Sequence, residues 1–291
     1  MKQQTYFFYL IPIVLAALVS AQPTYAQNDN RIAVPLADPA RPASVRAHLL
    51  NGSITVKGAD VKEIVVEAHV RDEGRGERGE GRGEGRGEGR SPSAGMKRIP
   101  MTSTGLNVEA ENNQVRISTD AIQRTVDVTV TVPVHTSLSL KTVNDGNIVV
   151  TGVDGELDID NVNGDVTLKN ISGSAVAHAL NGKVLATFNR VDPQKQMAFS
   201  SLNGDIDVTF PADLKANVNM RTDNGEVFSD FDVQLTATAP QQVVEDGRSQ
   251  GGKYRVKIDK SVKGKINGGG QEITFKDFNG NIYIRKAGAA R

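Results

Sequence analysis

The stretch Val162–Asn170 reads VNGDVTLKN, and close variants of it return along the chain: DGNIVV from Asp145, LNGKVLATF from Leu180, LNGDIDVTF from Leu202, DNGEVFSDF from Asp223 and FNGNIYIRK from Phe278. Each joins a turn dipeptide to alternating apolar and polar residues. Gly146, Gly155, Gly164, Gly173 and Gly182 follow one another at a spacing of nine, and Gly204 and Gly225 continue at 22 and 21. Two and four residues beyond the first five glycines the side chains are apolar: Ile148 and Val150, Leu157 and Ile159, Val166 and Leu168, Ala175 and Ala177, Val184 and Ala186. The positions between them are mostly polar, as at Glu156, Asp158 and Asp160. Each unit is therefore a turn followed by a short strand with one buried face. Asn-Gly and Asp-Gly give the positive φ angles that corner the chain at low steric cost.

Hairpins do not require strict glycine spacing over five turns, whereas stacked coils do, because each corner lies over the one before. Two units make one coil of 18–22 residues, with a strand in each of two facing sheets. The expectation is an all-β solenoid cornered by Asp145, Gly146, Gly155, Asn163, Gly164, Gly173, Asn181, Gly182, Asn203, Gly204, Asn224, Gly225, Asn279 and Gly280. Asp145, Asn163, Asn181, Asn203 and Asn224 are expected to stack along one edge, where side-chain amides can hydrogen-bond along the stack. An antiparallel β-sandwich is the alternative.

Working outward, period-two alternation also fills Ser53–Gly58, Glu63–Val70, Val126–Val134 and Ser137–Val143, and a helical period persists almost nowhere. Nine Phe, five Tyr and no Trp predict a thin aliphatic core. At the N-terminus, Lys2 precedes the apolar run Tyr6–Val19 and small residues follow, the layout of a secretory signal peptide cleaved after Ala26 or Ala21. The expected division is a signal peptide at 1–26, an N-terminal β region at 27–140 and a solenoid repeat region at 141–287. Within the β region, residues 71–95 are Gly, Glu and Arg almost throughout, with no apolar side chain to bury, and read as a disordered insertion.

The chain has no cysteine, which excludes disulfides and thiolate metal sites. Lys plus Arg equals Asp plus Glu at 34 each, so charge gives no case for nucleic acid as a partner. After the N-terminal run nothing is apolar enough to span a membrane as a helix.

No chemical site emerges. Asp154, Asp158, Asp160 and Asp165 are the densest acidic group. A calcium loop starting at Asp158 needs an oxygen ligand at Val162, glycine at Asn163 and glutamate at Lys169, and all three fail. Asp158, Asp160, Asp205 and Asp207 could be paired as glycosidase carboxylates, but alternation on strands is the pattern of a solvated face. His48, His69, His135 and His178 form no ligand pair. No cofactor or metal is expected. One feature of the outer face stands apart: three residues after successive corner glycines lie Val149, Thr167, Leu185, Asp207 and Phe228, a partly apolar stripe able to bind a protein, a glycan or a second copy. Free coil ends would allow self-association.

The run VDVTVTVPVHTSLSLKTVNDGNIVVTG, the repeats VNGDVTLKN and LNGDIDVTF, and the segments TDNGEVFSDF and DFNGNIYIRK resemble the bacterial DUF4097 group over roughly 47–286. The resemblance implies a β-solenoid-like fold and an envelope location, in the periplasm or at the cell surface; the label "adhesin" attached to that group comes from architecture, and no catalytic residue carries over. The reading is an exported non-enzymatic protein with an adhesin-like or scaffolding role. Its alternatives are a carbohydrate-binding or polysaccharide-active envelope protein, with Phe188, Phe210, Phe228, Phe231 and Tyr283 as its few aromatics, and a periplasmic partner of a membrane signalling system.

Overall fold

A computed structural model describes residues 31–71, 104–120, 124–236 and 261–288, together with the backbone of a two-stranded hairpin, Gln242–Asp246 and Tyr254–Ile258. The signal-peptide reading and nearly all of the Gly/Glu/Arg insertion lie outside the described residues, in which there is no helix.

Eight coils stack, each contributing one strand to each of two facing sheets. In spatial order they span 114–133, 43–59, 136–151, 154–169, 172–191, 197–210, 271–286 and 216–229, and are numbered coils 1 to 8 in that order. Between neighbouring coils every pairing in both sheets is parallel. Parallel ladders rule out the antiparallel sandwich. The chain visits coils 3 to 6 in order. At both ends it departs from order: coil 2, the first coil in sequence, lies between coils 1 and 3, and coil 7, the last in sequence, lies between coils 6 and 8. The expected step from Asn203 directly to Asn224 is thus corrected, because coil 7 fills the space between them.

Antiparallel strands close the stack. Leu106–Glu111 pairs with coil 1 in the first sheet, and Glu63–Val70, itself paired with Arg31–Pro35, does so in the second. At the far end Val262–Ile266 and Val233–Leu235 extend the first sheet beyond coil 8. Among the described residues, Val227–Ser229 of coil 8 pairs on one side only.

The positions two and four after the corner glycines point inward, as alternation requires. Ile148, Val166, Val184, Ile206 and Ile282 are fully buried in one column, with Val150, Leu168, Val208 and Ile284 beside them. Toward coil 7 the core thickens with four phenylalanines: Phe188 stacks on Phe210 at 5.2 Å and Phe199 on Phe275 at 5.5 Å, with Phe210 and Phe275 edge to face at 6.4 Å.

The corner carries three ladders. At the first, asparagine carboxamides hand hydrogen bonds from coil to coil: Asn144 to Asn51 (3.2 Å), Asn163 to Asn144 (3.2 Å), Asn181 to Asn163 (2.9 Å), Asn203 to Asn181 (2.8 Å), Asn279 to Asn203 (2.8 Å) and Asn224 to Asn279 (2.9 Å). Asn144 holds the rung expected of Asp145; Asp145 sits one residue on, at φ 56°, and turns the chain. Glycines form the second ladder because nothing larger fits: a Cβ on Gly182 would collide with the Gly164 carbonyl, and one on Gly204 with that of Gly182. In the third, the residue after most of these glycines caps the neighbouring backbone; Asn147 Oδ1 accepts from Asp165 N and Asp165 Oδ1 from Lys183 N, both at 2.8 Å. Gly155 and Gly173, expected at turns, lie within the strands Asp154–Asn163 and Val166–Asn181 on the opposite side of the coil, where Gly152, Asn170 and Gly173 have positive φ angles of 69°, 52° and 102°.

Candidate functional surface

The strands of the second sheet turn every other residue outward, and parallel register places equivalent positions side by side. Val149 pairs with Thr167, Thr167 with Leu185 and Leu185 with Asp207, so these four form one continuous row. Phe228 ends the same row, but Asp207 does not neighbour it. Coil 7 places Tyr283 between them, paired with Asp207 on one side and Phe228 on the other. Tyr283 was invisible as a member because its row neighbours lie more than fifty residues away in sequence.

The chemistry concentrates at this end of the row. The rings of Tyr283 and Phe228 stack at 5.2 Å with 10° between planes. Arg285 lies 5.2 Å from the centre of the Tyr283 ring, and its Nε donates to both Asp207 carboxylate oxygens at 2.7 and 2.9 Å. That ion pair holds the guanidinium above its ordinary pKa, the hydrogen bond it donates to Asp207 being the largest cause. Asn281 Nδ2 donates to the Tyr283 hydroxyl at 3.2 Å. Phe228 is 45% exposed and Leu185 37%. The row thus offers solvent a partly apolar stripe ending in an aromatic pair pinned beside a fixed charge pair. Of the other aromatics weighed from sequence, Phe188, Phe210 and Phe231 are buried and present nothing to a ligand.

The acidic group on the first sheet is spent on local contacts. Asp154 meets His135 at 3.3 Å and Arg190 at 2.9 Å, Asp160 meets Lys141 at 3.5 Å, and Asp165 makes the backbone cap already described. His178 Nδ1 lies 2.8 Å from Ser200 Oγ. Among the described residues no three His, Asp or Glu side chains gather as metal ligands. On the outer face of the first sheet Arg46, His48, Arg116 and Lys141 border a shallow depression of about 340 Å³.

One titratable group escaped the sequence reading. Two residues before four of the ladder asparagines an inward side chain caps the preceding coil: Thr142 donates to Gly52 O (2.8 Å), Asn161 to Gly146 O (3.0 Å), Ser201 to Gly182 O (3.0 Å) and Thr222 to Gly280 O (2.9 Å). In coil 7 this position is Asp277, only 2% exposed. Burial pushes its pKa up to about 6, with Asp205 adding to the rise and the N–H groups of Phe278 and Asn279 opposing it. Its Oδ2 has no hydrogen-bond partner among the described residues.

A family model, Toastrack DUF4097, matches residues 17–267. Two solved structures match the chain: a "putative cell adhesion protein" from Clostridium sporogenes, at 10% identity and TM-score 0.40, covering 88% of this chain and 99% of its own, and a "putative adhesin" from Bacteroides fragilis, at 11% identity and TM-score 0.38, covering 88% and 95%. No curated protein matches the chain.

Proposed function

The chain belongs to the Toastrack DUF4097 family, and from that premise we propose that it is an exported, non-enzymatic envelope protein that binds a partner in an adhesin-like or scaffolding role. The observation that carries the reading is the row Val149, Thr167, Leu185, Asp207, Tyr283 and Phe228 on the outer face of the second sheet. A stiff stack repeating side chains at strand spacing suits an extended ligand touched at several points, each contact weak and their sum specific. The stacked Tyr283–Phe228 pair, with Arg285 and Asp207 fixed beside it, favours a glycan among the partners, since aromatic rings and adjacent charged hydrogen-bonding groups are what a sugar ring engages.

The test is binding of the purified chain to glycan and bacterial-surface arrays, alongside a variant carrying Leu185→Ser, Tyr283→Ser and Phe228→Ser. All three residues sit on the outer face, so the variant should keep its circular dichroism and unfolding midpoint while losing retained ligands. Equal binding by both proteins would remove the row from the reading.

A further inference from the structure

The asparagine ladder bears on the chemical lifetime of the chain. Seven Asn-Gly dipeptides begin at Asn51, Asn163, Asn181, Asn203, Asn224, Asn267 and Asn279, and all but Asn267 are ladder members. Asn-Gly is the dipeptide in which a backbone nitrogen most readily reaches the preceding side chain, because glycine puts no Cβ in the way.

Interior rungs oppose this reaction through the carboxamide, and at two corners through the glycine nitrogen as well. The Asn181 carboxamide donates to Asn163 and accepts from Asn203, so both its polar atoms are engaged; Asn163, Asn203 and Asn279 are held in the same way. The following glycine nitrogen can be engaged too, as where Gly164 N–H donates to Asn181 O at 3.1 Å and Gly52 N–H to Asn144 O at 2.9 Å. Coil 8 ends the stack in the second sheet, and there the carboxamide is held at one of its two polar atoms. Asn224 donates to Asn279, but no described residue donates to its Oδ1, and none accepts from Gly225 N–H. Asn224 and Gly225 are exposed.

We propose that Asn224 is a site of spontaneous covalent modification, and that the ladder spares the interior asparagines from the same chemistry. The deprotonated Gly225 nitrogen attacks Asn224 Cγ. A new N–C bond closes a succinimide ring, and the side-chain nitrogen leaves as ammonia. Water then opens the imide at either carbonyl, giving aspartate or isoaspartate. No oxidant or second substrate is required. The product places a new carboxylate between Asp223 and Glu226 and, as isoaspartate, lengthens the backbone at the last corner, which loosens coil 8 from coil 7.

The experiment is incubation of the full chain in mildly alkaline buffer, with peptide mapping by mass spectrometry over time, folded and in urea. Breaking one carboxamide hydrogen bond before reaction slows it by roughly fivefold, so an interior rung, which has one such bond more than Asn224, should convert about fivefold more slowly in the folded chain. In urea the ladder sites should converge. Asn267, outside the ladder and held by Leu214 O at 2.7 Å, is an internal comparison. Asn181→Ala should accelerate Asn163 and Asn203 without changing Asn224. The proposal is overturned if Asn224 converts no faster than Asn163, Asn181, Asn203 and Asn279, or if folded and urea-treated chains convert alike.

Discussion

Coils 3 to 6 and coil 7 are built alike, with the same corner asparagine, the same glycine and the same inward apolar pair, yet they reach their places differently. Coils 4 to 6 each lie next to the coil that precedes them in sequence, and Asn181 reaches Asn163 over 18 residues. Coil 7 must slot between coils already joined to each other, and Asn279 meets Asn203 across 76 residues. Coil 2 is the mirror case, with Asn144 meeting Asn51 across 93. Geometrically equivalent coils therefore differ in loop-closure cost and in how late in folding their pairing can form. Coil 7 also carries the departures from the repeat: Phe275 in the enlarged core, Asp277 where neighbours carry hydroxyls, and Tyr283 in the outer row.

Deleting 271–288 puts this difference to the hardest test. It leaves coils 6 and 8 without a strand between them in both sheets and exposes Phe199 and Phe210, so cooperative unfolding of the C-terminal half is expected, read as loss of amide protection there by hydrogen exchange. The milder Phe275→Ala should cost about 3–5 kcal/mol by removing a fully buried ring. If the truncated chain kept a wild-type unfolding midpoint, coil 7 would be an accessory rather than a member of the stack.

Gly182→Ala probes the sequential coils. Its Cβ meets the Gly164 backbone, which cannot yield as a flexible side chain would, and a loss of about 2–4 kcal/mol is expected in chemical denaturation. A neutral result would show that the coils can move apart at the corner.

The smallest effect separates coil 7 from the rest by pH. Asp277, raised from 3.8 to about 6, binds a proton more tightly in the folded chain than in the unfolded one. Its contribution is fully present below about pH 4 and is lost as pH rises through about 6, by at most about 3 kcal/mol. Kept neutral, its carboxyl can donate as Ser201 and Thr222 do. Asp277→Asn, which keeps a donor without titrating, should flatten that part of the stability–pH curve; an unchanged slope would acquit Asp277.

The sequential coils were legible because their period is nearly regular: the spacing of Asn163, Asn181 and Asn203, 18 and 22 residues, with buried positions two and four beyond the glycine leaves few ways to stack them. The same spacing misled at Asn224, since a gap of 21 residues fits one more coil whether or not another is inserted. Asn51 and Asn279 were unread as rungs for the same reason that Tyr283 was missed, namely that register between strands far apart in sequence leaves no periodic trace. Asp277 was hidden differently. One acidic residue at the end of a strand looks like solvent-facing decoration until the neighbouring corners show that its position points inward.

The placement of coil 7 also decides how the protein resists being pulled. A terminal coil at the end of a stack can be peeled, its hydrogen bonds yielding one after another along a single seam. Tension applied beyond residue 286 enters a coil seated between two others, gripped by strands Met197–Asn203 and Ala216–Thr222 in one sheet and by Ile206–Phe210 and Val227–Ser229 in the other. Withdrawing it has to shear both seams together, as a card is drawn from the middle of a deck.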